Sequence, residues 1–140
     1  MSKKIVETIS IEAPPDEVWR VAGDPATIGE WVPALAGSSL SGSERFCTTG
    51  DGARIAERIL AHSDPDRSYT YEIVESPLPL RSYRSTLTVH GHDGHSHVRW
   101  EADFEASAPE QEDELEETFT GIYREGLLSL RAQHERVATP

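Results

Sequence analysis

Glu57 occupies an unusual position for an ionisable residue. It lies in the segment RIAERIL, residues 54–60, where the side chains alternate as in a β-strand. If Ile55 and Ile59 point toward a core, strand alternation places Glu57 on the same face. A buried carboxylate costs several kcal/mol unless it is paired, hydrogen-bonded, protonated or hydrated in a cavity. The segment therefore raises the question of which partner or cavity Glu57 has.

A carboxylate that faces a pocket could serve as the general acid or base of an aldol cyclisation or dehydration. Glu57 is the candidate catalytic residue for such chemistry, and Tyr71 and Tyr83 on neighbouring strands would orient the polar end of a bound molecule. Two structural alternatives stay open. Glu57 could accept a hydrogen bond from Tyr71, Tyr83 or a helix residue, or a bulge could turn it outward beside Arg58.

The histidines of HGHDGHSH form a second candidate group, made of His90, His92, His95 and His97. Imidazoles at cross-strand and i,i+2 spacing can converge on a divalent metal. The segment is expected to be a solvent-exposed hairpin tip on the surface opposite the apolar face. We therefore predict a tip whose charge responds to pH, and no functional metal site.

Cys47 and the turn TTGDGA are two further candidates for a reactive or ligand-binding group. No base partner for Cys47 is visible in the sequence, so a nucleophilic role is not expected. The turn lacks both the Lys-Ser/Thr ending and the following helix that a phosphate-binding loop requires. We predict neither a bound metal nor an organic cofactor.

Composition limits the functional classes. The 140 residues suit a single domain over residues 1–140. The 25 acidic and 13 basic residues give a net charge of −12, which argues against nucleic acid and against stable association with anionic membranes. The single cysteine excludes an internal disulfide, and no apolar block typical of a signal peptide opens the chain, so a cytoplasmic location is expected.

The elements that must position these residues can be read from patterning. A first strand at residues 4–12 precedes two short helices near residues 16–23 and 24–35, and about six strands follow between residues 38 and 106. After Pro109, a long amphipathic helix carries an apolar stripe at helical spacing. The stripe consists of Leu115, Phe119, Ile122, Tyr123, Leu127 and Leu130.

The last hairpin can be aligned from its turn. Asp93-Gly94 as a two-residue turn pairs Val89 with Val98 and Leu87 with Trp100, with apolar side chains opposed on one face. The other face then carries charged and polar pairs. One buried sheet face and one apolar helix stripe predict that the terminal helix packs across the concave face of a curved antiparallel sheet.

The order of elements and several stretches resemble a known superfamily. The stretches are SIEAPPDEVWRVAGDPATIGEWVPAL at residues 10–35, GARIAERIL at 52–60 and YTYEIVESPLPLRSYRSTLTV at 69–89, followed by VRWEADF and the final helix. They resemble the START-like superfamily, also called SRPBCC or Bet v 1-like, and within it the polyketide cyclase/dehydrase-like branch. The resemblance implies an α+β helix-grip fold, with about seven strands wrapped around the C-terminal helix.

The resemblance also implies an elongated cavity between sheet and helix that binds an apolar or aromatic small molecule. The expected ligand-binding residues are Trp31, Glu57, Tyr71, Tyr83, Leu87, Trp100, Phe119 and Tyr123. Three functions stay open: a binding protein, a cofactor-free polyketide cyclase or dehydratase that uses Glu57, and a protein-interaction or regulatory subunit with a filled interior. A homodimer is also an open alternative.

Overall fold

The computed structural model describes the backbone of residues 2–138 and the side chains of residues 2–135. Residues 1, 139 and 140 of the predicted domain lie outside this described part. The strands are β1 (Lys3–Ile11), β2 (Leu35–Ser41), β3 (Glu44–Thr49), β4 (Arg54–Ser63), β5 (Ser68–Glu75), β6 (Leu80–His92) and β7 (His95–Ala106). The helices are α1 (Pro15–Ala22) and α2 (Glu112–Ala138), with short 3-10 helices at Pro25–Glu30 and Pro109–Gln111.

The seven strands form one antiparallel sheet in the order β1-β7-β6-β5-β4-β3-β2. Successive strands from β2 to β7 are neighbours, and β1 closes the order by pairing with β7. The pairing of β4 with β5 shifts register between Ala56 and Glu57 and again between Ile59 and Ala61. Such irregularities bend a strand and help the sheet curve. The helix-grip fold predicted from the sequence is confirmed.

The β6–β7 hairpin has the predicted register. Val89 pairs with Val98 and Leu87 with Trp100. The turn needs left-handed backbone at both central positions, with φ of 51° at Asp93 and 82° at Gly94. Asp and Gly tolerate this conformation better than most residues, which explains why the dipeptide sets the alignment.

Helix α2 packs its apolar stripe against the sheet. Five of the six predicted stripe residues are buried, and Ile122 is partly buried against the same core. The Tyr123 ring stacks on the Trp100 indole, with centroids 3.9 Å apart and an interplanar angle of 3°. Gly126 allows this close approach, since a Cβ there would lie 3.1 Å from Cζ3 of Trp100. The helix thus forms one wall of the interior.

Helix α1 begins at Pro15, where a missing N–H costs nothing, and has Asp16 and Glu17 in its first turn. It buries Trp19, whose indole N–H donates to the Asp64 carboxylate at 2.8 Å. Trp19 is therefore a core residue. The helix and the following 3-10 helix close one end of the sheet.

The histidine tip lies at the far end of the β6–β7 hairpin. The rings of His92, His95 and His97 have centroids 5.8 to 6.4 Å apart. His90, His92 and His97 are exposed, and His95 is partly exposed. Among the residues that the structure describes, no three His, Cys, Asp or Glu side chains are grouped so that they could hold a metal ion.

Candidate functional site

A cavity of about 410 Å³ lies between the inner face of the sheet and helix α2. Strands β3 to β7 supply its floor, α2 its roof, and the segment after the first 3-10 helix one end. Most of its lining is apolar. The lining residues are Ile28, Val32, Ala34, Leu35, Cys47, Thr49, Gly50, Asp51, Ala53, Ile55, Glu57, Tyr71, Ile73, Pro77, Leu78, Tyr83, Trp100, Thr118, Phe119, Ile122 and Tyr123.

Six of the eight expected ligand-binding residues contribute to this lining: Glu57, Tyr71, Tyr83, Trp100, Phe119 and Tyr123. The other two lie outside it. Trp31 is 1% exposed and packs behind Trp100, with ring centroids 5.4 Å apart. Leu87 is fully buried opposite Trp100 on the neighbouring strand. Both support the cavity wall from the core side.

Glu57 faces the interior, but its partner is a residue that the sequence analysis did not identify. Arg45 on β3 is fully buried, and its Nε donates to Oε1 of Glu57 at 2.6 Å. The alternative of a phenol or helix donor to Glu57 is not what the described residues show, because β3 supplies the donor directly across the strand pair. A guanidinium beside a carboxylate makes a strong charge-assisted hydrogen bond.

The register of β3 with β4 brings this pair together. Cys47 pairs with Ile55, and Arg45 pairs with Glu57. The hairpin closes through the Thr49 amide, which donates to the Ala53 carbonyl at 2.8 Å. A turn centred on Asp51 could have yielded this register from the sequence, since TTGDGA was recognised as a hairpin turn. This alignment of β3 with β4 is the sequence signal that would have identified Arg45 as the partner of Glu57.

Two tyrosines surround the guanidinium of Arg45. Nη1 donates to the Tyr69 hydroxyl and to the Pro25 carbonyl, both at 3.1 Å. The Tyr71 ring lies 4.4 Å from the guanidinium carbon, a cation-π contact. Burial lowers the pKa of Arg45, but the oxygens of Tyr69 and Glu57 outweigh it and raise the pKa above its usual range. Arg45 is therefore a permanent cation, and its Nη2 has no hydrogen-bond partner among the residues that the structure describes.

A second polar network connects the floor with α2. The Ser85 hydroxyl donates to the Glu101 carbonyl at 2.9 Å and accepts from the Trp100 indole N–H at 3.1 Å. Because Ser85 has already used its proton, the Tyr123 hydroxyl donates to it at 2.9 Å. The Tyr83 hydroxyl must then donate to Tyr123, to which it is hydrogen-bonded. Their protons are thus committed within the protein.

Burial keeps the phenols of this region neutral. It raises the pKa of Tyr69 to about 12, although the nearby Arg45 acts in the opposite direction. It likewise raises the pKa of Tyr71, and that of Tyr83 to well above its ordinary value. At neutral pH these side chains are hydrogen-bonding hydroxyls and not anions.

Cys47 lies beside the ion pair. Its Sγ donates to Oε1 of Glu57 at 3.5 Å, so a carboxylate that the sequence did not reveal is its neighbour. Burial, followed by the Glu57 charge, raises the pKa of the thiol to about 12. Because the thiolate is the nucleophile, this raised pKa predicts slow reaction of Cys47 at neutral pH.

Two turns form the rim of the cavity. Residues 49–51 and Ala53 belong to the β3–β4 turn, and Pro77 and Leu78 to the SPLP turn between β5 and β6. Neither turn was among the predicted site residues, because a turn signal does not say which face of the sheet it overhangs. Hydrogen bonds from the Thr49 hydroxyl and then the Ala53 amide lower the pKa of Asp51, which adds an anionic group to this rim.

Comparison with known proteins identifies the family. The family model described as "Polyketide cyclase / dehydrase and lipid transport" matches residues 2–135. The chain therefore belongs to this family. No helix in the described part of the chain is long and apolar enough to cross a membrane.

Three relatives illustrate the range of similar proteins. MLP-like protein 423 of Arabidopsis thaliana is 28% identical over 120 residues, which cover 75% of this chain and 77% of that protein. The structure of XoxI from Bacillus cereus has a TM-score of 0.91 at 28% identity and covers 98% of this chain and 99% of that one. The di-domain ARO/CYC BexL of the BE-7585A biosynthetic pathway shares the fold, with a TM-score of 0.83 at 18% identity over 99% of this chain and 48% of its own.

Proposed function

We propose that this member of the polyketide cyclase / dehydrase and lipid transport family binds an apolar or aromatic small molecule in the cavity between the sheet and α2. The observation that carries the proposal is a largely apolar cavity of about 410 Å³ with a few polar groups at its floor. Small-molecule sites in proteins commonly have this size and this composition.

The lining suggests a division of roles. Trp100, Phe119 and Tyr123 present rings to the cavity and would form its apolar wall. Glu57 and the two tyrosines Tyr71 and Tyr83 would orient the polar end of the bound molecule. Trp31 and Leu87 would act indirectly, by holding the wall in place from the core.

A neutral fluorescent probe, N-phenyl-1-naphthylamine, tests the proposal. Ile73 lines the cavity, whereas its neighbour Val74 is 46% exposed on the other face of β5. We expect wild-type protein and Val74→Trp to bind the probe with increased emission and a raised melting temperature. Ile73→Trp should fill the cavity and lose the binding. Equal binding by both variants, or none by the wild type, would overturn the proposal.

A cofactor-free cyclase or dehydratase is the second candidate function. It is favoured by the position of the Glu57 carboxylate in the cavity lining. The pairing with Arg45 limits how Glu57 could act as an acid or base. Oε1 already accepts from Arg45, so Oε2 is the oxygen left to exchange a proton with a substrate. Turnover of a polyketide-like substrate that survives Glu57→Gln would exclude Glu57 as the acid or base, because glutamine keeps the shape and loses the proton chemistry.

An interaction or regulatory subunit stays the third alternative. This alternative predicts a filled interior, whereas the described residues enclose the cavity between the sheet and α2. A cytoplasmic location and a partner set without nucleic acid stay predictions from composition and charge.

A further inference from the structure

The two carboxylate oxygens of Glu57 differ in environment. Oε1 accepts from Nε of Arg45 at 2.6 Å and from Sγ of Cys47 at 3.5 Å. Among the described residues, no donor is hydrogen-bonded to Oε2. The side chain lines the cavity and keeps 9% of its surface exposed. Because each carboxylate oxygen can accept two hydrogen bonds, Oε2 is an open acceptor at the cavity floor.

The lining is also electrostatically one-sided. It contains two carboxylates, Glu57 at the floor and Asp51 at the rim, and no Lys, Arg or His among the residues described. Arg45 has no exposed surface and lies behind Glu57 and the Tyr71 ring. An anionic group on a ligand would therefore meet carboxylate oxygen without an accessible cation.

The nearby hydroxyls compensate only in part for this lack of a cation. Tyr123 donates to Ser85, and Tyr83 to Tyr123, so neither proton is free for a ligand oxygen. The Tyr71 oxygen accepts from the Trp100 indole N–H at 3.3 Å, which leaves the Tyr71 proton available to a ligand oxygen. The cavity floor thus offers an anionic acceptor at Glu57 and one neutral phenolic donor at Tyr71, a combination that suits a hydroxyl, which both donates and accepts, better than a carboxylate.

We infer that the cavity selects an apolar or aromatic molecule carrying a neutral hydroxyl, a phenol or an alcohol, which donates to Oε2 of Glu57, and that it discriminates against carboxylates. This inference rests on the proposed function. A neutral donor is favoured over an ammonium ion, because the Glu57 charge is already compensated by Arg45 at 2.6 Å. Burying a second cation beside that guanidinium would add repulsion without a second counter-ion at the floor.

Four naphthalenes that differ at one position test the inference by titration calorimetry. They are 2-naphthol, 2-methoxynaphthalene, 2-naphthoate and 2-naphthylmethylammonium. In the wild type we expect 2-naphthol to bind at least about tenfold more tightly than each of the others, since a hydrogen bond to a charged acceptor is worth that factor or more. The ether keeps the ring and the oxygen but cannot donate.

Substitutions at Glu57 test whether this residue causes the preference for the hydroxyl compound. Glu57→Gln removes the negative charge and leaves the positive charge of Arg45 without its counter-ion. The preference for 2-naphthol over 2-naphthoate should therefore fall at least about tenfold. Glu57→Asp keeps the charge and should retain the preference for the hydroxyl. The matched control is Glu72→Gln, because Glu72 lies on the adjacent strand in an exposed pair with Arg58. It should leave the ligand order unchanged.

The results distinguish a failure of the donor inference from a failure of the proposed binding function. If all four compounds bind equally well, or if the carboxylate or the ammonium binds most tightly, the cavity binds small molecules but the donor inference is wrong. If none of the four binds, the proposed function fails and the inference fails with it. The wild-type series decides between these outcomes even if Glu57→Gln does not fold, which a thermal melt would show.

Discussion

The side chains of Arg45 and Glu57 form a buried ion pair across strands β3 and β4, with Nε 2.6 Å from Oε1 and the guanidinium fully inaccessible. The pair lies between the core and the cavity floor. It resolves how the fold tolerates a carboxylate on an apolar face, since each charge is the main compensation for the other. It also leaves one oxygen of Glu57 facing the cavity.

Breaking this pair should destabilise the protein strongly. Arg45→Met leaves the Glu57 charge buried without its counter-ion and should lower the free energy of unfolding by about 3–5 kcal/mol. The double variant Arg45→Met/Glu57→Leu should recover most of that loss, because no unpaired charge remains. Urea denaturation of the single and double variants measures the coupling.

A surface pair provides the control for this experiment. Arg58 and Glu72 form an ion pair at 3.2 Å, with the Arg58 side chain 51% exposed. Arg58→Met should therefore cost no more than about 1 kcal/mol. If Arg45→Met cost no more stability than Arg58→Met, the buried pair would not be important for folding. The same would follow if the losses from Arg45→Met and Glu57→Leu simply added in the double variant.

Two glycines of α2 should respond differently to alanine. A Cβ at Gly121 meets nothing within 4 Å, so Gly121→Ala should stabilise the protein by about 1 kcal/mol through helix propensity. A Cβ at Gly126 would lie 3.1 Å from Trp100 and 3.4 Å from Trp31, which must give way. We expect a clearly smaller gain, or a loss, for Gly126→Ala in denaturant titrations. Equal gains would show that α2 does not need glycine for its approach to Trp100.

Stability should fall in alkaline solution. The folded pKa is raised to about 12 for Cys47, from an ordinary value of about 9, and to about 12 for Tyr69, from about 10. Between pH 9 and 12 the unfolded chain therefore loses protons that the folded chain keeps, so the free energy of unfolding decreases as pH rises. Well below pH 9 both groups are protonated in the folded and the unfolded chain, so they contribute nothing to the pH dependence there.

Urea denaturation at a series of pH values checks this slope. Cys47→Ser removes one titrating group and should reduce the decline by up to about 1.4 kcal/mol per pH unit, the value for one proton. An unchanged slope in this variant would show that the thiol loses its proton equally readily in the folded and unfolded chains.

The same burial should protect Cys47 from alkylation. With a thiol pKa of about 12 and a 2% exposed side chain, the folded protein should react with iodoacetamide at pH 8 at least about 100-fold more slowly than the protein in urea. Mass spectrometry of the timed reaction gives both rates. Fast labelling of the folded protein would mean that Cys47 is accessible from the cavity.

Local patterns in the sequence determined the elements and one complete register. The Asp93-Gly94 turn and the alternation on either side of it were sufficient to pair Leu87 with Trp100, because a hairpin register follows from its turn. The helical stripe that includes Phe119 and Tyr123 likewise predicted which face of α2 is buried. Strand alternation also predicted that Glu57 points inward, although it left open a bulge that would turn the side chain outward.

Contacts between residues distant in the chain required the tertiary structure. Trp31 and Leu87 are as buried as the lining residues, and only the packing of α2 and the Trp100 ring puts them outside the cavity. The rim formed by the β3–β4 and SPLP turns depends on how the sheet curves over the interior. The ion pair of Arg45 with Glu57 follows from the register of the β3–β4 hairpin, but its burial depends on the packing around that hairpin. Alternation specifies the face to which a side chain points, but the distance between that face and the opposing helix is set by the fold as a whole.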